Sequence, residues 1–137
     1  MPSSPAFQVS IQLAVESLGA TEAFYAGILD APLKRGLTAP GAPEHLMMRH
    51  DGWEIIFVEH TDVVKAHPSL EERLENFPKG VGMTFHFRVS DIEDIYDSIL
   101  DEGLYILYPL VAKPYGMKEF WCFDPDGYLV VIEETTR

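Results

Sequence analysis

The sequence predicts an α+β protein built from two similar β-α-β-β-β modules. An Asp-Gly turn, an aromatic residue, an apolar run and closing acids occur in this order twice, at 50–59 and again at 125–134. The turn glycines Gly52 and Gly127 lie 75 positions apart, and the strand-like segments 10–15 and 84–89 align at a spacing of 74. Landmarks that agree within one residue indicate an internal repeat.

The first half contains a strand, a helix and three further strands, in that order. A strand is predicted near 6–15. A helix is predicted near 18–29, because Leu18, Phe24, Tyr25, Ile28 and Leu29 recur largely at the spacing of three and four that places side chains on one helix face. Strands at 33–37, 45–50 and 53–59 complete the module, and the Pro- and Gly-containing segment 39–43 is predicted to be a loop.

The second half repeats this order after a connecting segment. Residues 60–82, which follow the first module, have no counterpart in the other half, and they include a predicted helix at 69–77 in which Ser69 and Glu72 form a capping box. The elements predicted after the connector are a strand at 81–89, a helix at 92–100 that ends before Gly103, and strands at 105–109, 118–123 and 129–134.

Length and composition favour one globular domain over residues 1–137. The chain is 47% hydrophobic and 12% aromatic, which is enough to form a sizeable core. We expect module one at about 6–60, the connector at about 61–80 and module two at about 81–135. No apolar run approaches the roughly 18 residues of a membrane helix. The segment 1–5 lacks the basic and apolar regions of a signal peptide, so a cytoplasmic location is expected.

The single cysteine and the charge balance narrow the possible chemistry. Cys122 lies between Trp121 and Phe123 and is expected to be a small core residue rather than a nucleophile. A net charge of −12, from 22 acidic against 10 basic residues, disfavours nucleic acid and anionic membranes as partners. An acidic surface keeps a small protein soluble, and it is also compatible with a cationic ligand.

Two further motifs join the repeat. Phe87-Arg88-Val89 ends a strand directly before Ser90-Asp91-Ile92, and Asp124-Pro125-Asp126-Gly127-Tyr128 precedes the last strand. Together these features resemble the vicinal oxygen chelate superfamily, over nearly the whole chain. That superfamily includes glyoxalase I, extradiol dioxygenases, fosfomycin-resistance enzymes and the metal-free bleomycin-resistance proteins. The resemblance implies a curved mixed sheet around a cup-shaped cavity that holds the ligand or metal, and it implies a homodimer. The segment 113–120 resembles the metal-free branch.

The resemblance also gives a test for a metal site. Enzymes of the superfamily typically bind a divalent metal through His or Gln on the first strand and Glu on the last strand of each module. These positions correspond here to Ser10, Ile56, Thr84 and Val131. The two apolar residues have no donor atom, and lone hydroxyls bind divalent ions poorly. The resemblance therefore favours the branch without a metal cofactor.

A displaced metal site is the alternative. Side chains two residues apart on a strand share a face, and a shift by two residues from the mapped positions reaches Gln12, Val58, His86 and Glu133. Gln12, His86 and Glu133 would form an N/O ligand set suited to iron, manganese, nickel or zinc. Glu133 would then serve as both ligand and base in a glyoxalase-type lyase or isomerase or in a dioxygenase.

Strand alternation predicts which side chains line a pocket. Thr84, His86 and Arg88 fall on one face, and Phe85 and Phe87 fall on the face under the helix. Arg88 is expected to meet an acid, Glu54, Glu133 or Glu134, because a buried charge needs a partner. The paired acids at 71–72 and 133–134 are expected on solvated faces. The candidate ligand-binding residues are Gln12, Glu54, His86, Arg88, Tyr115, Met117, Trp121 and Glu133.

These observations predict a metal-independent protein that sequesters an aromatic or cationic small molecule, as the resemblance to bleomycin-resistance proteins implies. Tyr115 and Met117 lie in a predicted mobile lip next to Gly116, and Trp121 supplies a ring face. Sequestration requires no catalytic residue. The metal-dependent enzyme is the alternative. A regulatory protein with a vestigial pocket is a third hypothesis, for which the sequence contains no distinct motif.

Overall fold

The computed structural model describes residues 8–37 and 39–136, in two compact units. The first unit ends at Asn76 and the second begins at Phe77, within the predicted connector. Each unit holds one four-stranded mixed sheet with its helices, so the predicted α+β class with two β-α-β-β-β modules is confirmed. Within these ranges no helix is long and apolar enough to cross a membrane. The predicted start of the first strand, Ala6, lies outside the described residues.

The sheet of the first unit has the order β1-β4-β3-β2. Its first and last strands are parallel and its other neighbours are antiparallel. A parallel pair needs a crossover connection, which the first helix supplies. The bounds are β1 Val9–Val15, α1 Leu18–Glu22, β2 Lys34–Leu37, β3 Glu44–His50 and β4 Trp53–Glu59.

The first helix changes its winding after the five residues of α1. Ser17 caps α1 by accepting a hydrogen bond from the Ala20 amide at 3.2 Å, and from Ala23 to Ile28 the helix continues as a π-helix. Phe24 and Tyr25, adjacent in this π-helical part, are both buried, with ring centroids 4.9 Å apart. The predicted helix at 18–29 is confirmed in position, and its wider winding brings two consecutive aromatic rings into the core.

The second unit has the same topology in the order β5-β8-β7-β6, again with its first and last strands parallel. Ile92, Ile95 and Ile99 lie at helical spacing on its helix and are buried. Tyr96 contacts Phe120 of the sheet edge to face, with ring centroids 4.9 Å apart. The bounds are β5 Thr84–Arg88, α4 Ile92–Asp101, β6 Ile106–Lys113, β7 Met117–Phe123 and β8 Leu129–Thr135.

The connector differs from the prediction. In place of one helix at 69–77 it contains α2 His60–Ala66, a 3₁₀ turn Pro68–Leu70 and α3 Glu71–Leu74. The predicted capping box of Ser69 and Glu72 is wrong, because α3 is preceded by Leu70 and has no side-chain capping bond. Pro68 explains the difference. Its fixed φ starts a turn one residue earlier, so Ser69 lies inside that turn and not at a cap.

The acid that follows each turn glycine by seven residues caps the helix of its own module. Glu59 Oε2 accepts a hydrogen bond from the Leu18 amide at 3.1 Å, and Glu134 Oε1 accepts one from the Ile92 amide at 2.9 Å. The expectation that the Glu133-Glu134 pair lies on a solvated face is therefore wrong. A carboxylate from the last strand reaches an amide that the first turn of a helix leaves without a partner, and the negative charge also suits the helix dipole.

The Glu134 cap predicts a measurable loss of stability. We expect Glu134→Ala to lower the free energy of unfolding by about 1 kcal/mol, because the Ile92 amide loses its partner and the α4 N-terminus loses a negative charge. Urea unfolding followed by circular dichroism measures this loss. Glu102→Ala, at the exposed C-terminal end of the same helix, is the matched control and should leave the unfolding midpoint nearly unchanged. Equal midpoints for the two variants would contradict the capping role.

Candidate functional site

One face of the second sheet carries the polar residues that the sequence singled out. On β5 the residues Thr84, His86 and Arg88 are exposed, and the intervening Phe85 and Phe87 are half-buried, as strand alternation predicts. The strand register places His86 beside Val131, Arg88 beside Glu133, Trp121 beside Val131 and Glu119 beside Glu133. We call this surface the module-two face, defined by His86, Arg88, Glu119, Trp121, Val131 and Glu133.

Glu133 is the centre of a hydrogen-bonded network on the module-two face. Its Oε1 is hydrogen bonded to His86 Nδ1, and its Oε2 lies 3.6 Å from Arg88 Nη2. The Thr84 hydroxyl lies 3.1 Å from His86 Nε2. The carboxylate can only accept, so a neutral His86 carries its proton on Nδ1 and accepts the Thr84 hydroxyl at Nε2. The side chain of Glu133 is 14% exposed, and the expected meeting of Arg88 with an acid is confirmed at Glu133.

A second carboxylate, Glu119, lies across the register from Glu133. The Tyr115 hydroxyl donates a hydrogen bond to Glu119 Oε1 at 2.5 Å, and Lys113 Nζ lies 3.9 Å from the same oxygen. This hydrogen bond raises the pKa of Tyr115, and desolvation and the charges of Glu119 and Glu133 add to the increase. The side chain of Glu119 is only 12% exposed. The face therefore holds two neighbouring carboxylates that are largely shielded from water.

Aromatic rings form the wall next to Glu119. Tyr108 and Trp121 meet edge to face, with ring centroids 5.2 Å apart and planes at 79°. They belong to a cavity of about 250 Å³, which we call the Trp121 cavity. Its lining residues are Tyr108, Pro109, Val111, Lys113, Glu119 and Trp121. A cavity with ring faces and one shielded acid suits a planar group that carries positive charge.

The structure brings most of the candidate residues together on the second sheet. His86, Arg88 and Glu133 form one network, Trp121 lines the cavity, and Tyr115 contacts Glu119. Met117 instead takes a contact within the sheet, where its sulfur lies 3.6 Å from the Thr135 hydroxyl.

Sequence reasoning missed Glu119, Lys113 and Tyr108. Glu119 precedes Trp121 by two residues on β7, so the period-two rule applied from Trp121 would have identified it. No such signal points to Tyr108, because the register between β6 and β7 shifts on either side of it. A register shift changes which residues of two strands are neighbours, and it cannot be derived from alternation along one strand.

Glu54 lies in the first unit, where neighbouring side chains donate hydrogen bonds to its carboxylate. Its carboxylate accepts hydrogen bonds from the Ser10 hydroxyl at 2.9 Å and from Arg49 Nε at 2.8 Å. These bonds, that of Ser10 first, lower the pKa of Glu54. A cavity of about 330 Å³ borders this group, and in it His50 stacks on Trp53 with ring centroids 5.9 Å apart. Gln12, the other candidate of the first unit, lines a separate cavity next to α2.

The residues present do not fit the usual metal site of the resemblance. Val131 is fully buried and apolar, and Ile56 is apolar as well. The Ser10 hydroxyl donates to Glu54, and the Thr84 hydroxyl contacts His86. Of the displaced set, His86 and Glu133 are hydrogen bonded to each other. Across residues 8–37 and 39–136, no group of three His, Cys, Asp or Glu residues could hold a metal ion.

Cys122 has the structural role that the sequence predicts. It is fully buried, and burial, with a smaller contribution from the charge of Asp124, raises the pKa of its thiol to about 12. A thiol with such a pKa contains almost no thiolate at neutral pH and is a poor nucleophile. Cys122 therefore acts as a small apolar core residue on β7.

These features define a class of protein. Both units are β-α-β-β-β modules, each with its first strand parallel to its last, and a small-molecule-sized cavity lies on the second sheet. The family model of the Glyoxalase/Bleomycin resistance protein/Dioxygenase superfamily matches residues 8–132. The chain belongs to this superfamily. No curated protein matches the sequence.

Solved structures share the fold at low sequence identity. A hypothetical protein, SA1046, from S. aureus is 12% identical with a TM-score of 0.67, covering 97% of this chain and 95% of that one. A glyoxalase-related enzyme from Fulvimarina pelagi is 17% identical with a TM-score of 0.64, covering 96% and 89%. A lactoylglutathione lyase from Agrobacterium tumefaciens is 19% identical with a TM-score of 0.57, covering 96% of both chains. At these sequence identities, the similarity establishes a shared fold and nothing about function.

Proposed function

We propose that the protein binds and sequesters a small molecule with a planar aromatic part and a cationic group, without a metal cofactor, in the manner of a bleomycin-resistance protein. The observation that carries this proposal is the Trp121 cavity. In it the shielded carboxylate of Glu119 lies beside the rings of Trp121 and Tyr108, in a space of about 250 Å³. Binding there requires recognition and no chemical step.

The charges on the module-two face favour a cationic ligand over an anionic one. Glu119 has Lys113 as its cation at 3.9 Å, and Glu133 has Arg88 at 3.6 Å. Both distances are longer than the 2.7–2.9 Å of a strong charge-assisted hydrogen bond. A ligand cation in the Trp121 cavity, at closer range than Lys113, would gain more from Glu119, whose charge water screens little. The net charge of −12 also raises the local concentration of cations and speeds their arrival.

The aromatic wall favours a planar partner. Trp121 and Tyr108 meet edge to face, so a flat ligand ring can lie against one ring face and meet the edge of the other. A cation held against Trp gains further from the ring quadrupole, by about 0.5 to 2 kcal/mol. Val111 and Pro109 add apolar surface. The ring and the charge of the proposed ligand are therefore recognised by adjacent groups of one cavity.

The residues at the positions that would hold a metal favour sequestration over metal-dependent catalysis. A glyoxalase-type lyase or a dioxygenase of this superfamily would need a set of metal ligands, and the mapped positions hold Ser10, Ile56, Thr84 and Val131. The names of the structural neighbours include a lactoylglutathione lyase, a glyoxalase-related enzyme and TioX from Micromonospora. At these identities they share a fold with the chain, so the choice of function rests on the residues of the module-two face.

Calorimetric titration with 9-aminoacridine, a planar monocation, tests the proposal. We expect saturable one-to-one binding that Glu119→Gln weakens about tenfold, because a charge-assisted contact is lost while the shape of the side chain is kept. Trp121→Ala should weaken binding by at least the same factor, since the ring wall is removed. Glu102→Gln removes an acid of the same charge from an exposed site outside the cavity and should leave the affinity unchanged.

Two outcomes would contradict the proposal. If 9-anthracenecarboxylate, of similar shape and opposite charge, bound equally well, Glu119 would not select the ligand by charge. Elemental analysis of protein purified without chelators provides the second test. Stoichiometric iron, manganese, nickel or zinc that disappears in His86→Ala and in Glu133→Ala would replace the binding function with that of a metal-dependent enzyme.

A further inference from the structure

The Trp121 cavity contains a cation that belongs to the chain itself. Lys113, the last residue of β6, and Glu119 of β7 both line this cavity. Lys113 Nζ lies 3.9 Å from Glu119 Oε1, which is close enough for an ion pair but too far for a hydrogen bond. Among the described residues of the lining, Lys113 is the one that carries a positive charge. The acid proposed to recognise a ligand cation therefore already faces a cation in the free protein.

Two side chains contact the Glu119 carboxylate within the described part of the chain, and they hold it differently. The Tyr115 hydroxyl donates a hydrogen bond to Oε1 at 2.5 Å, whereas Lys113 Nζ makes no hydrogen bond to this oxygen. A hydroxyl orients the carboxylate and leaves its negative charge in place. An ammonium at the longer distance offsets part of that charge without a directional bond. Lys113 is therefore the partner that a ligand cation can replace.

Lys113 can leave Glu119 at little cost. Its side chain is 38% exposed, whereas that of Glu119 is 12% exposed. A Lys ammonium is strongly hydrated in water, and its flexible four-carbon stem lets it turn away while the strand stays in place. Lys113 pairs in register with Met117, beside the turn that joins β6 to β7. A ligand with a better-placed cation can thus take over Glu119 without any change in the sheet.

We propose that Lys113 is an internal competitor that sets the affinity threshold of the Trp121 cavity for cations. It pairs with Glu119 in the free protein and is released into solvent when a ligand binds. A ligand cation must then gain more from Glu119 and the rings than Lys113 gives up. Cations without an aromatic plane fall below this threshold, and planar aromatic cations exceed it. This inference rests on the proposed sequestration, and it identifies a residue that limits binding in addition to those that provide affinity.

Calorimetric titration of Lys113→Met with 9-aminoacridine tests the competition. We expect the variant to bind about fivefold more tightly than the wild type, because a partly exposed ion pair no longer has to be broken. Lys113→Arg restores a cation and should return the affinity towards that of the wild type. Lys34→Met is the matched control, because Lys34 is exposed on β2, the corresponding edge strand of the first unit, and should leave the affinity unchanged.

Acridine separates competition from apolar packing. At neutral pH it is an uncharged ring system of the same shape, and it does not need the charge of Glu119. We therefore expect Lys113→Met to leave the affinity for acridine nearly unchanged. If acridine and 9-aminoacridine gained equally, the introduced methionine would act through apolar contact with the ligand, and the inference would be overturned. An unchanged affinity for 9-aminoacridine in Lys113→Met would overturn it as well.

Acetylation of lysines, followed by peptide mass spectrometry, measures the release of Lys113 directly. We expect the acetylation of Lys113 to increase when 9-aminoacridine saturates the wild-type protein, because the released side chain extends into solvent. A ligand that covered Lys113 without displacing it would decrease the acetylation and overturn the inference. The acetylation of Lys34 should not change, because this exposed residue lies outside the Trp121 cavity.

The titrations distinguish failure of this inference from failure of the proposed function. If the wild type binds 9-aminoacridine and Lys113→Met binds it equally well, the competition is wrong and sequestration stands. Binding by Lys113→Met alone would support the competition and contradict sequestration by the wild-type chain. If neither protein binds the probe, both proposals are wrong.

Discussion

Gly127→Ala is expected to destabilise the second unit by about 2 to 5 kcal/mol. Gly127 has a φ of +86°, in the left-handed region that costs an L-residue about 1 to 2 kcal/mol. A methyl group there would also lie 2.7 Å from Pro78 Cβ, 2.8 Å from Pro78 Cα and 2.9 Å from Phe77 Cε2. Because one of these atoms belongs to the backbone, the clash can be relieved only if the chain moves. This overpacking adds about 1 to 3 kcal/mol to the cost.

A control variant separates the cost of the backbone angle from the cost of the steric clash. Gly103 has a φ of +69° and nothing within 4 Å of an added Cβ, so Gly103→Ala tests the backbone angle alone. We expect it to cost about 1 to 2 kcal/mol. Urea unfolding of both variants, followed by circular dichroism, measures the difference. If the two substitutions cost the same, the close approach of Pro78 to the Asp-Gly turn is not a constraint on the fold.

Val131→Glu is expected to lower the free energy of unfolding by about 2 to 4 kcal/mol at neutral pH. Val131 is fully buried and lies in register between His86 and Trp121. A carboxylate there would lose its hydration without a prepared set of partners. The position corresponds to a glutamate ligand in the metal enzymes that the sequence resembles. The expected loss therefore measures how poorly this buried position tolerates a carboxylate.

The neutral analogue and the pH dependence identify the cause. Val131→Gln has nearly the same shape without the charge and should cost less than Val131→Glu at pH 7. Burial raises the pKa of an introduced carboxyl above its unfolded value, so the penalty is largest above the folded pKa and disappears below the unfolded one. The two variants should therefore converge in stability as the pH falls through the acid range. A penalty for Val131→Glu that stays constant with pH would point to volume alone, and recovery with added Zn²⁺ or Mn²⁺ would indicate a latent metal site at this position.

Local patterns along the chain were sufficient to predict the fold. The repeat spacing and strand alternation located the four strands and the helix of each module, because period two and period 3.6 are properties of the backbone itself. The same alternation correctly separated Thr84, His86 and Arg88 from Phe85 and Phe87. The connector was predicted less well. A helix that begins at His60 directly after a strand, with no Ser, Thr, Asp or Asn as its cap, contains no local start signal.

The candidate site was predicted in part, for a related reason. Arg88 and Glu133 are register partners on parallel strands, and His86 lies two residues before Arg88 on the same face, so their alignment follows from the repeat and from alternation. To place Glu119 beside Glu133, one must know that β7 pairs antiparallel with β8. To place Tyr108 beside Trp121, one must know the shifted register between β6 and β7.

Patterns in the chain establish two β-α-β-β-β modules, with apolar Ile56 and Val131 at the two positions where the resemblance implies carboxylates. The repeated closing acids, at Glu59 and Glu134, were visible in the sequence, but their role as helix caps became apparent only in three dimensions. Tertiary structure alone decided which acids are shielded from water and which rings wall a cavity. Those properties depend on residues far apart in the chain, and no local pattern encodes the distances between them.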